Sequence, residues 1–178
     1  MTILGISGSL RHDSYNSMLL RNVPLELELW DGLKEIPPYD GDDDVVPGPP
    51  EVEEFRARVR EADAVFFATP EYNSSIPGVL KNALDWASRP LATNAFRNKP
   101  VAVISSSAGA FGGVWAGAEL RKILGAMGAR VAEAELAVGH AHDKLDDKGR
   151  VIDQEVLQGL REALDTLLAE VSPALAAA

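Results

Sequence analysis

Gly5-Ile-Ser-Gly-Ser-Leu-Arg-His-Asp-Ser-Tyr-Asn-Ser17 is the stretch that decides the fold. It grows out of an apolar run, Thr2 to Ile6, which reads as a buried strand, and it passes into a helix beginning near Ser14. A helix start offers unpaired N–H groups and partial positive charge, so this turn is suited to an anion. Ser7, Ser9, Ser14 and Ser17 add hydroxyls, Tyr15 stands in the same first turn, Asn16 adds an amide, and Arg11 adds a guanidinium fork matched to phosphate. The loop has no Lys, which excludes the phosphate loop of nucleoside triphosphatases, and with only Gly5 and Gly8 it lacks the Gly-x-Gly-x-x-Gly fingerprint. Such donors fit a terminal phosphate better than an internal pyrophosphate. The plainer reading is a Ser-rich capped turn with Arg11 in solvent.

A second stretch, Thr69-Pro-Glu-Tyr-Asn-Ser-Ser-Ile-Pro-Gly-Val-Leu-Lys-Asn-Ala-Leu-Asp-Trp86, also follows an apolar strand. Pro70 stiffens the turn, and the loop Pro70, Glu71, Tyr72, Asn73 presents amide groups and an aromatic surface. These match a flat, mostly apolar ring with an amide-like edge. Pro77 and Gly78 restart the chain as a helix. A tight strand-to-helix turn would explain the Pro and Gly, but not the Glu-Tyr-Asn run. In a third stretch, Ser105 to Gly113, Ser106 and Ser107 end a strand, and Gly109, Gly112 and Gly113 allow close approach of backbone to a ligand. A ligand-free turn explains that loop nearly as well.

Taken together, Gly-Ser-Leu-Arg-x-x-Ser-x-Asn and Pro-Glu-Tyr-Asn-x-Ser-x-Pro-Gly-x-Leu-Lys-Asn-Ala-x-Asp-Trp resemble the NADPH-dependent FMN reductase family, which includes quinone, azo-dye and chromate reductases. The likeness covers nearly the whole chain, including Asp147-x-Gly-Arg-x-x-Asp153 before the last helix. It implies bound FMN with NAD(P)H as co-substrate. Hydride would pass to flavin N5 and the electrons onward to a quinone, azo compound, free flavin or similar small acceptor. It also implies that Ser9, Arg11, Ser14, Tyr15, Asn16 and Ser17 hold the phosphate end. Pro70, Glu71, Tyr72 and Asn73 with Ser106, Ser107 and Gly109 would then line the ring, Ser106 on its pyrimidine side. The cofactor carries the chemistry, so no catalytic side chain is nominated. The segment Met18 to Pro24 is short for the family, leaving the first helix little more than two turns.

Strands are expected near 2–6, 25–30, 63–68, 100–105 and 129–136, with helices near 14–22, 51–61, 77–88, 113–127 and 153–171. This alternation predicts one α/β domain over 1–178, a flavodoxin-like, doubly wound, five-stranded parallel sheet of order 2-1-3-4-5. The three motifs follow strands one, three and four, at the end of the sheet where such folds bind ligands.

The composition fits this. The 178 residues are 46% hydrophobic at a net charge of −10, too apolar for disorder. With 27 acidic against 17 basic residues, nucleic acid and anionic membranes are poor partners. The chain has no Cys, which removes disulfides, thiolate metal sites and thiol catalysis. Pro100 to Ala118 is uncharged, but its Ser and Gly content reads as strand, loop and helix rather than a membrane span. A cytoplasmic protein is expected.

Val79, Leu80, Ala83, Leu84, Trp86 and Ala87 form a stripe wider than one sheet face needs, which suits either core packing or a homodimer or homotetramer contact. Trp115 points off its helix's apolar side. The Asp40, Asp42, Asp44, Glu51 spacing lacks the Gly of a calcium loop, and a solvated acidic loop is the better reading. His140, His142 and Asp143 could bind a metal but read better as a polar loop, one that could reach the site of its own or of a neighbouring subunit. Asp31, at the end of the second strand, keeps a nicotinamide-dinucleotide domain as an alternative, and a non-enzymatic flavodoxin-like electron carrier is another.

Overall fold

The computed structural model describes the backbone of residues 1–175 and the side chains of residues 1–171. Its sheet is built from β1 (Ile3–Ser7), β2 (Glu28–Trp30), β3 (Ala64–Thr69), β4 (Pro100–Ser106), β5 (Arg130–Val131) and β6 (Leu136–Val138). The helices are α1 (Tyr15–Arg21), α2 (Pro50–Glu61), α3 (Gly78–Ala87), α4 (Val114–Ala126), α5 (Ala141–Lys144) and α6 (Gln154–Leu175). All strand pairings in the sheet are parallel, in the order β2-β1-β3-β4-β5, with β6 also on β4. This is the flavodoxin-like order.

β3 and β4 are buried on both faces, which is why they read as unbroken apolar runs. The sheet divides two cores. On one side α2, α3 and α4 pack around Phe55, Phe67, Trp86 and Phe96; on the other, α1 and α6 cover Phe66, Ile104, Leu160 and Leu167. Trp30 stacks on Phe55 with centroids 4.5 Å apart, fastening the edge strand β2 to α2.

Three expectations need correction. The strand expected over 129–136 is two short pieces, β5 and β6, each paired with β4. Between them Arg121 reaches in from α4 and donates to the carbonyls of Val103 (3.1 Å) and Ala134 (2.8 Å). Burial lowers the pKa of this guanidinium, with the Glu135 carboxylate opposing. The strand expected over 25–30 keeps only Glu28–Trp30, because its outer edge has no neighbour. The acidic loop is not wholly solvated either: Asp44 is drawn onto Arg56 at 3.2 Å, and Arg56, itself buried, also donates to the Trp86 carbonyl.

The wide α3 stripe is consumed within the chain. Leu80, Ala83, Leu84, Trp86 and Ala87 are buried, and half-buried Val79 packs on the same core. The extra width meets the segment after β2, where the Trp86 Nε1–H and the Asn82 Nδ2 group both donate to the Pro37 carbonyl. Tyr39 packs edge-on against Trp86 at 4.8 Å. Among the described residues no helix is long and apolar enough to cross a membrane.

Candidate active site

Parallel pairing of β1, β3 and β4 delivers their C-terminal ends to one rim, so the three motif loops become neighbours. The first loop is fixed from below. Gly8 N–H donates to the Ala68 carbonyl at 2.8 Å, and a Cβ at Gly8 would stand a tight 3.0 Å from the Leu80 and Thr69 side chains, which would have to give way. The Ser17 hydroxyl meets that of Ser7 at 2.9 Å, and Ser7 Oγ accepts the Ser9 N–H at 3.3 Å. Arg11 is exposed, donates to the Asp13 carbonyl and lies 6.0 Å over the Tyr15 ring.

The helix start is open. Ser14 holds the N-cap position of α1 without a side-chain cap bond, and the first turn has no acidic residue. This leaves backbone donors free for an anion. Asn16 is buried and ties the loop to β4, its Nδ2 group donating to the Ser106 carbonyl at 3.2 Å. Asn16 Oδ1 and Ser106 Oγ are buried with no hydrogen-bond partner within the protein. Orphaned buried polar atoms are costly, and two of them, one in the first turn of α1 and one at the end of β4, fit a bound molecule with both donors and acceptors.

In the second loop Tyr72 and Ser75 exchange backbone hydrogen bonds around a tight turn, with Asn73 (φ 53°) and Ser74 (φ 62°) in the left-handed region. Tyr72 and Asn73 are exposed at the rim and Pro70 lies half-buried below them. Glu71 turns elsewhere: its Oε2 accepts the N–H groups of Trp115 and Ala116, both at 3.1 Å, at the start of α4. That side chain is a helix cap. Glu119 completes the clamp, accepting from the Ser75 hydroxyl at 2.6 Å and from Ile76 N–H at 3.1 Å. We expect Glu71→Ala to cost about 0.5–2 kcal/mol in urea unfolding and Glu71→Gln, which keeps an acceptor oxygen, clearly less.

The third loop carries Ser107, half-buried, and Gly109, exposed. It is braced by the segment after β6, where His140 N–H donates to the Gly109 carbonyl (3.0 Å) and Ala141 N–H to that of Ser107 (3.1 Å). The histidine segment thus reaches the site of its own chain, with His140 at φ 48°. Phe111 and Trp115, 67% and 49% exposed, meet at 5.1 Å beside it. Sequence reasoning missed Glu119 and Gly139. No local pattern marks either, since both act on partners distant in the chain.

A doubly wound domain of flavodoxin-like strand order, with its three motif loops at one rim, is an architecture that binds a flavin nucleotide outside the carboxyl ends of its strands. The chain belongs to the NADPH-dependent FMN reductase family, whose profile matches residues 1–143. It is 42% identical over 172 residues to an NAD(P)H-dependent FMN reductase of Pseudomonas aeruginosa, covering 93% of this chain and 92% of that protein. It is 38% identical to a quinone reductase of Escherichia coli, covering 90% and 89% of the two chains. The solved structure of FerB, a flavoenzyme NAD(P)H:(acceptor) oxidoreductase of Paracoccus denitrificans, superposes with a TM-score of 0.85 at 32% identity, covering 97% of both chains. These relatives are enzymes, and with them the protein is an FMN-dependent oxidoreductase that uses NAD(P)H, rather than an electron carrier or a dinucleotide-binding domain.

Proposed function

We propose that the whole of 1–178 acts as one FMN-binding domain that reduces a quinone or a similar small acceptor, azo compounds and free flavin included, in the cytoplasm. When bound, FMN supplies two-electron redox chemistry between NAD(P)H and the acceptor. The observation that carries this reading is the pair of orphaned buried atoms, Asn16 Oδ1 of α1 and Ser106 Oγ of β4, close to a helix start at Ser14 that has no side-chain cap bond.

The residues divide the work by position. The N–H groups and hydroxyls of Ser9, Ser14 and Ser17, with the backbone N–H groups of Tyr15 and Asn16, would hold the phosphate while Arg11 closes over it from solvent. Pro70 to Asn73 would carry the ring edge on backbone groups, the Glu71 carboxylate being engaged by α4. Ser106, Ser107 and Gly109 would face the pyrimidine side. Exposed Tyr72 leaves an aromatic surface at the mouth, which suits a flat acceptor.

The test is direct. Purified protein loaded with FMN is mixed with NADPH and a benzoquinone, with no auxiliary reductase present. Rapid NADPH oxidation is expected, and its absence with quinone, azo and flavin acceptors alike would remove the reading.

A homodimer or homotetramer is part of this proposal, with Phe111 and Trp115 as the exposed apolar contact in place of the α3 stripe. Sedimentation at micromolar concentration should give an oligomer that Trp115→Glu dissociates. Wild type running as a monomer rejects it.

A further inference from the structure

Histidine is the side chain that ordinarily changes charge near neutral pH, and of the three in the chain His140 and His142 stand beside the third loop. His140 holds a left-handed backbone, φ 48° and ψ 44°. Its N–H donates to the Gly109 carbonyl at 3.0 Å, and the next N–H, of Ala141, donates to that of Ser107 at 3.1 Å. The backbone that carries the imidazole is thereby fixed against two residues assigned to the pyrimidine side of the ring. The side chain itself is exposed, and the roles assigned to the site leave it unused.

Few charges surround it. Ser107 to Ala110 and Ala137 to Gly139 carry no ionisable side chain. In α5 the His142 ring stands edge-on to that of His140 at 6.2 Å, Asp143 lies 3.5 Å from His142 Nε2, and Lys144 is paired with Asp153 at 3.1 Å. Among the described residues His12 and His142 each have a carboxylate within ion-pair distance, and His140 has none. Across the rim, the Glu71 and Glu119 carboxylates are already bound to groups of α4 and of the second loop. A charge on His140 is therefore left to act on whatever occupies the site.

A hydride brings two electrons and one proton, so a ring that accepts it gains one negative charge. An imidazolium at the pyrimidine end favours that state, and a neutral imidazole does not. Linkage makes the effect reciprocal: reduction raises the proton affinity of His140 by as much as the proton favours reduction.

We propose that His140 takes up a proton when FMN is reduced and releases it when the acceptor is reduced, so that pH sets the potential of the bound cofactor. The proposal rests on the reductase reading, with the pyrimidine end at Ser106, Ser107 and Gly109. The balance closes. One solvent proton is bound as hydride arrives and one is freed as hydride leaves, and a quinone that gains a hydride and a proton becomes the neutral hydroquinone. His140 is a positioning residue in this role, acting by its charge across the third loop.

The experiment titrates the FMN-loaded full chain with dithionite against an indicator dye from about pH 5.5 to 8.5, and follows the imidazole resonances by NMR in both redox states. At about pH 5.5, His140→Gln should hold reduced FMN, relative to oxidised FMN, roughly tenfold less tightly than wild type does. For a two-electron couple that is a potential lower by about 30 mV, and the two proteins should converge by about pH 8.5. His140→Lys, charged throughout, should keep the low-pH behaviour over the whole range, and His142→Gln should leave the pH step in place. The His140 resonance should titrate at higher pH in the reduced protein. Coincident potentials for wild type and His140→Gln at every pH overturn the proposal, as does a pH step that disappears in His142→Gln instead. Failure of NADPH oxidation with every acceptor counts against the reductase reading alone, because dithionite supplies the electrons here, whereas failure to bind FMN removes both.

Discussion

Arg11→Ala should weaken FMN about tenfold while leaving riboflavin binding nearly unchanged. A charge-assisted phosphate contact contributes about 1.5–3 kcal/mol, or roughly 10- to 150-fold in affinity. Arg11 is exposed, held only by the Asp13 carbonyl and the Tyr15 ring, so solvent screening puts the loss at the lower end of that range. Riboflavin is the decisive control, since it has the ring and ribityl chain without the phosphate. Quenching of flavin fluorescence on binding measures both constants. Equal losses for the two ligands would show Arg11 shaping the loop as a whole, and would end its assignment to phosphate.

Gly139→Ala should be the most damaging single methyl group that can be added near the site. A Cβ at Gly139 would lie 2.2 Å from the Ala110 carbonyl oxygen and 2.8 Å from its carbon. Gly112, at φ 61°, is just as confined on the facing side, where its Cβ would come within 2.7 Å of Gly139 N. Backbone meets backbone here, so no flexible side chain can move aside, and relief requires the third loop to lift off the segment after β6. Overpacking of this kind costs about 1–3 kcal/mol, and for a chain of this size that lowers Tm by roughly 2–12 °C. FMN affinity should fall with it, because Ser107 and Gly109 are held by the Ala141 and His140 N–H groups. Thermal unfolding with and without FMN separates the two effects. A variant with wild-type Tm and FMN affinity would show that the interlocked loops do not set the site's shape.

The apolar runs at Ile3–Ser7, Ala64–Thr69 and Pro100–Ser106 were legible as strands because burial on both faces leaves no polar alternation to blur the signal. Punctuation by Gly, Ser and Pro located the turn into each following helix. Given parallel strands, the right-handed crossover rule then places all three loops at one rim. The fold and the general position of the site are therefore local properties of the chain, summed. The break between β5 and β6 was not legible. Arg130 to Val138 carries enough apolar residues for one strand, and at the interruption Arg121 of α4, 13 residues before Ala134, donates to the Ala134 carbonyl.

The sequence by itself determined the α/β class, the strand order through its alternation, and the turn of Gly5–Ser17 from β1 into α1. Only the tertiary structure decided which polar atoms remain available. Glu71 looks like a ring contact in a Pro-Glu-Tyr-Asn run, yet α4 presents two bare N–H groups at 3.1 Å and takes its carboxylate. Asn16 looks like one more donor among serines, yet burial against Ser106 makes it the tie between the start of α1 and the end of β4 and leaves its Oδ1 unpaired. Hydrogen-bond competition between elements distant in sequence settled both cases. A side chain's type limits what it can bind, but its neighbours in space determine which of those bonds are already made.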